Sequence, residues 1–166
     1  MDDRGNIVLI GMPGAGKSTV GVLLAKATRR SFLDTDVYLQ SRLGRSLQEI
    51  LDSDGMEEFL EIEADTILSL NLAGHVIATG GSAVYRDAAM LHLAAGGLLV
   101  YLKLPLELLE ARVTNMATRG VIIARGQSFR DLYDRREPLY RRWAQLTVAC
   151  EGKSQDQIAA EIAGAL

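Results

Sequence analysis

Short apolar runs alternate with longer stretches in which apolar residues recur every three or four positions, and this alternation persists along the chain. Asn6 to Ile10 is the first such run and ends at a glycine; beyond the next loop Val20, Leu23, Leu24 and Ala27 fall at helical spacing. Strand, loop and helix are expected there. Further β-prone runs are Ser31 to Leu33, His75 to Ala78, Leu98 to Leu102 and Leu146 to Ala149, each separated from the next by helical stretches. Ser46 with Glu49 and Ser154 with Gln157 have the spacing of capping boxes, which satisfy free N–H groups at helix starts, and Pro105 suits a first helical turn. Strands alternating with helices predict an α/β fold with a parallel sheet covered on both faces, because parallel strands need long, right-handed crossovers. Ligand sites in such sheets lie at the carboxyl ends of the strands.

Length and composition narrow the class. The 166 residues suit one domain, and no repeat, low-complexity tract or Pro/Ser-rich linker interrupts them. A formal charge of −3 gives no field that would gather nucleic acid, so no nucleic-acid partner is expected. Apolar stretches such as Leu98 to Leu102 are far shorter than the roughly 20 residues a bilayer span needs. Met1-Asp2-Asp3-Arg4 lacks the regions of a signal peptide, so a cytoplasmic protein with no membrane partner is expected. Cys150 is the single cysteine, which excludes an intramolecular disulfide and any multi-cysteine metal site; it reads as a buried apolar residue.

The first loop carries the clearest chemistry. Gly11-Met12-Pro13-Gly14-Ala15-Gly16-Lys17-Ser18 fits the G-x-x-x-x-G-K-[ST] phosphate-binding pattern and lies between an expected strand and helix. Backbone N–H groups around Gly14, Ala15 and Gly16 and the helix N-terminus would hold phosphate oxygens of ATP. Lys17 would reach the β- and γ-phosphates, and the Ser18 hydroxyl would ligate Mg²⁺. Asp34-Thr35-Asp36 follows the second strand at the same sheet edge: one carboxylate can hold Mg²⁺ through water while the other orients an acceptor hydroxyl. Thr79-Gly80-Gly81-Ser82-Ala83 follows the third strand, where paired glycines let backbone approach a ligand. Arg112, Arg119, Arg125 and Arg130 surround Asn115 to Ser128, a segment that reads as a basic flap over the phosphates.

This order of motifs resembles the shikimate kinase family, part of the nucleoside-monophosphate-kinase-like P-loop proteins. The resemblance rests on Gly11 to Thr19, Leu33-Asp34-Thr35-Asp36, Gly55 with Glu58-Phe59 and Glu63, Gly80-Gly81, and the segment from Arg136 to Ala144. It implies a five-stranded parallel sheet, a lid at about 115–128, and substrate-binding helices within about 37–73 of a single kinase domain. By position it implies Thr19 in the nucleotide loop, Asp34 in the magnesium shell, Asp36 as candidate base, and Arg136 on a substrate carboxylate. Arg112 would face the adenine and Arg119 would be the catalytic lid arginine. The expected reaction is ATP-dependent phosphorylation of shikimate, in aromatic amino acid biosynthesis, by a monomer. The chain departs from the family pattern at Leu60, where a second carboxylate-holding arginine is usual; at Ser82, in place of a third glycine; and at Gly120, in place of proline. Glu63, left without that arginine, could receive an ammonium group such as homoserine offers; another small hydroxy acid or amino-alcohol acid, such as homoserine or gluconate, stands as an alternative acceptor. A nucleotide-binding regulator without phosphotransfer is the remaining alternative.

Overall fold

Asn6–Ile10 (β1) is buried along its whole length, as a strand covered on both faces must be. The computed structural model describes residues 5–114 and 126–166. Within them β1 pairs in parallel with His75–Ala78 (β3) on one side and Gly97–Lys103 (β4) on the other. Ser31–Asp34 (β2) adds beyond β3 and Leu146–Ala149 (β5) beyond β4, giving a five-stranded parallel sheet of order β2-β3-β1-β4-β5.

Seven α-helices lie among the described residues. Lys17–Thr28 (α1) links β1 to β2, and Thr35–Leu43 (α2) with Leu47–Leu68 (α3) links β2 to β3. Asp87–Gly96 (α4) precedes β4, Leu106–Thr114 (α5) and Phe129–Trp143 (α6) precede β5, and Gln155–Gly164 (α7) closes the chain. The crossover through α1 runs toward β2, whereas the one through α4 runs the opposite way. Right-handed crossovers therefore put these helices on opposite faces, and a cleft opens at the carboxyl ends of β1 and β3. The glycine-rich loop and Gly80-Gly81 follow those two strands.

The main core gathers Val8, Leu9, Val20, Leu24, Leu99, Val100, Tyr101 and Ile162, with Cys150 buried among them as expected. A smaller apolar cluster, Leu39, Ile50, Phe59 and Leu60, joins α2 to α3 and holds the outer helices in place. Within α3 Gly55 takes φ 85°, so its two helical segments meet at a kink that an L side chain would strain. Asn6 pins the opposite end of the sheet: its amide donates to the Leu72 carbonyl at 2.7 Å and its oxygen accepts from the His75 N–H at 3.0 Å.

Both expected capping boxes form, and a third appears at Ser128 and Asp131. Pro105 stands one residue before α5 rather than within its first turn, with its carbonyl accepting from the Leu109 N–H at 3.2 Å. The expected lid falls mostly outside the described residues, as do Arg119, Gly120 and Arg125.

Candidate active site

A buried strand that ends in glycine must turn sharply before α1 can begin, and the loop does so with Gly14 and Gly16 at φ 84° and 92°. No side chain caps α1, so its first N–H groups remain available for an anion. Lys17 curls back over the loop, its ammonium donating to the Gly11 carbonyl at 2.8 Å and the Met12 carbonyl at 3.0 Å. Burial lowers its pKa to about 8, with Asp36 opposing that shift and Arg136 adding to it. Thr19, one residue on from Ser18, is exposed in the first turn of α1. Arg112 reaches the same loop from α5, donating to the Gly14 carbonyl at 3.1 Å.

Asp34 is at once the last residue of β2 and the cap of α2. One of its oxygens accepts from the Asp36 and Val37 N–H groups at 3.0 and 3.2 Å; the other accepts from the Ser18 hydroxyl at 2.6 Å. Ser18 and Asp34 thus present hard oxygen donors side by side, which suits Mg²⁺. Among the described residues no group of three or more His, Cys, Asp or Glu side chains could hold a metal by itself. A cation here would therefore complete its shell from nucleotide oxygens and water.

Two carboxylates converge on the other side of the cleft. Asp36 from α2 and Glu63 from α3 each bring an oxygen within 2.6 Å of the point that a Gly80 Cβ would occupy. Any side chain at residue 80 would displace them. Gly80 is fixed in that gap by its N–H, which donates to the Thr35 hydroxyl at 3.1 Å. Burial, and after it the nearby Asp34 charge, raise the pKa of Asp36 to about 6. Burial raises that of Glu63 to about 7, with the Ser82 hydrogen bond opposing the shift and Asp36 adding to it.

Arg136 enters from α6 and is buried, a costly place for a cation. Its Nε donates to the Tyr85 hydroxyl at 3.2 Å and its guanidinium lies 5.2 Å from the centre of the Tyr85 ring. A Cβ at Gly81 would stand 2.7 Å from its Nη1, so this glycine too is a condition of close approach. Tyr140, one turn further along α6, donates to the Gly81 carbonyl at 2.6 Å and stacks on Tyr101. Among the described residues no carboxylate comes within salt-bridge distance of Arg136.

Most residues expected from sequence are thus brought to one cleft: Gly14, Ala15, Gly16, Lys17, Ser18, Asp34, Asp36, Glu63, Gly80, Gly81, Arg112 and Arg136. Arg130 is exposed at the start of α6, and Leu60 is packed into the α2–α3 apolar cluster. One expectation needs correction. Glu63 does not stand unpaired, because the buried Ser82 hydroxyl donates to its Oε2 at 2.6 Å. The Ser82 hydroxymethyl group, in place of a third glycine, turns to Glu63. Thr35, Tyr85 and Tyr140 were not foreseen. Only Tyr140 carried a signal, its position four residues after Arg136 on the same helical face.

The family profile for shikimate kinase matches residues 13–166. The shikimate kinase of Pseudomonas paraeruginosa is 39% identical over 160 residues, covering 95% of this chain and 93% of that protein. Human threonine synthase-like 1 is 36% identical over 164 residues, but the chain spans only 22% of its length. Among solved structures, a shikimate kinase from Acinetobacter baumannii in complex with shikimate superposes with a TM-score of 0.87 at 32% identity, covering 97% of this chain and 92% of that one.

Proposed function

The chain belongs to the shikimate kinase family, and from that premise we propose that it moves the γ-phosphoryl group of ATP onto a hydroxyl of shikimate to give shikimate 3-phosphate. One observation carries this reading: a phosphate-binding loop, a paired Ser18 and Asp34, the carboxylate of Asp36 and the buried cation of Arg136 converge on Gly80-Gly81.

The roles follow from the geometry. Lys17 exchanges its two loop carbonyls for β- and γ-phosphate oxygens, a trade of neutral for charged acceptors that strengthens each bond. Ser18 and Asp34 would hold Mg²⁺, whose charge offsets that of the phosphates. Asp36, mostly ionised at neutral pH, accepts the proton of the attacking hydroxyl as the new O–P bond forms and the bond to ADP breaks. Arg136 takes the substrate carboxylate, which gives this buried cation its anion. In this reading Arg112 borders the adenine and Arg119 steadies charge on the transferring group.

The test is coupled ADP release with purified protein across shikimate, homoserine, gluconate and nucleoside monophosphates, with the product identified by mass spectrometry. Shikimate-dependent turnover is expected; ATP hydrolysis indifferent to every acceptor would instead support a nucleotide-binding regulator. Leu60 favours the second reading, another small hydroxy acid or amino-alcohol acid, because an apolar side chain stands where the family's second arginine would be.

A further inference from the structure

Arg136 is held by a neutral side chain. Its Nε donates to the Tyr85 hydroxyl at 3.2 Å and its guanidinium lies over the Tyr85 ring, so the cation is fixed without being neutralised. Gly81 and Tyr85 are both half-buried, and a Cβ at Gly81 would stand 2.7 Å from Arg136 Nη1. The bare glycine leaves that end of the guanidinium open. No polar atom of Arg136 or Tyr85 is both sealed from solvent and without a partner, in contrast to Glu63 Oε1.

A phenol has one proton to give and two lone pairs to receive with. The Tyr85 oxygen accepts from Arg136, but its own proton has no acceptor among the described residues. Tyr140, the other phenol beside Arg136, already gives its proton to the Gly81 carbonyl at 2.6 Å. Nε and Nη2 share one edge of the planar guanidinium, so an anion taken by Nη2 lies next to the oxygen that Nε holds. Tyr85 is the phenol with a proton free for that anion.

The surroundings keep Tyr85 in place. Its ring packs against the apolar cluster of Leu39, Ile50, Phe59 and Leu60, and its N–H donates to the Ser82 carbonyl at 3.0 Å. The next residue, Arg86, is paired with Glu57 and Glu61 of α3. Leu60, where an arginine was expected, thus belongs to the surface that supports Tyr85.

Resting on the reading that the acceptor is a carboxylic acid taken by Arg136, we propose that Tyr85 is a further binding residue for the same carboxylate. Its hydroxyl accepts from Arg136 Nε and gives its own proton to a carboxylate oxygen, supplying the second donor that Leu60 does not. One cation and one phenol then hold the anion.

The test pairs calorimetry in the presence of ADP and Mg²⁺ with steady-state kinetics on wild type and Tyr85→Phe. Shikimate, homoserine and gluconate are compared, each with an analogue that carries a hydroxymethyl group in place of the carboxylate. Phenylalanine keeps a ring over Arg136 and on the apolar cluster, so thermal unfolding and KM for ATP should stay near wild type. For whichever acid binds wild type, Kd and KM should rise about tenfold or more, with kcat little changed. The hydroxymethyl analogue should bind both proteins alike.

Replacing Tyr85 by 3-fluorotyrosine, at a pH where the phenol stays protonated, separates donation from positioning. Fluorine makes the hydroxyl a better donor and a poorer acceptor, so Kd for the acid should fall if Tyr85 donates to the carboxylate. A rise or no change would mean that Tyr85 only holds Arg136, and would overturn the proposal. Equal Kd in wild type and Tyr85→Phe, or equal weakening of acid and analogue, would overturn it as well. A wild type that binds none of the acids overturns this proposal and the kinase reading together. One that binds an acid but releases no ADP overturns the kinase reading alone, since Kd still reports the role of Tyr85.

Discussion

The two halves of the cleft are built by different means. On the phosphate side nearly everything comes from one short stretch, Gly11 to Ser18, and the binding groups are main-chain amides whose direction is set by φ and ψ at Gly14 and Gly16. On the acceptor side Asp36, Glu63, Ser82, Tyr85 and Arg136 come from α2, α3, the segment after β3 and α6, and the binding groups are side chains held by one another. Backbone amides tolerate little chemical variation, whereas a network of side chains can be rewired by two substitutions and still satisfy most of its members. The phosphate half therefore rests on one contiguous loop, while the acceptor half rests on contacts between distant side chains such as that between Ser82 and Glu63.

That contrast can be broken most severely at Lys17. Lys17→Met should lower kcat by about 10²–10³-fold or more, since it removes a charge aimed at the transferring group, while thermal unfolding stays near wild type. Retained turnover would contradict the assigned cradle. On the other side, Arg136→Met should raise acceptor KM by about 10- to 150-fold through loss of a charged hydrogen bond, with ATP affinity little changed. A parallel loss of ATP affinity would mean that the halves are not separable. Leu60→Arg should tighten shikimate binding by up to about tenfold, less than an ideal charged contact because position 60 sits in an apolar cluster. Weaker binding would place that side chain away from the carboxylate.

The smallest expected effect is on the pH dependence of stability. Burial raises Glu63 from 4.5 to about 7 and Asp36 from 3.8 to about 6, so each contributes stability that is complete at low pH and lost as pH rises through those values. Lys17, lowered from 10.5 to about 8, is still charged as Asp36 and Glu63 titrate and starts to lose its proton only toward pH 8, in wild type and variant alike. Glu63→Gln should therefore melt closer to wild type at pH 4.5 than at pH 8, with the variant gaining at the higher pH. Melting curves that shift in parallel at both values would mean Glu63 is not desolvated.

How much of this was readable in the chain follows the same division. β1, β3 and β5 begin and end at the residues the apolar runs predict; β1 and β3 are the buried strands, for which uninterrupted β-prone residues are needed. The capping boxes at Ser46 and Ser154 were legible, but the one at Ser128 was not, since aspartate at the third position is shorter than the glutamate or glutamine of the pattern. The phosphate loop is contiguous and so was plain from spacing. The bond between Ser82 and Glu63 joins residues nineteen apart on different elements, and only the fold shows that one departure answers another. The apolar burial of Leu60 escaped for the same reason.

Asp34 sits where β2 passes into α2 with no intervening loop, one oxygen on the amides of Asp36 and Val37 and the other on Ser18. In the proposed reaction the nucleotide side and the acceptor side would therefore both be referred to this one carboxylate. A displacement of Ser18 would reach the start of α2 through it, as between two jaws cut from one piece of metal.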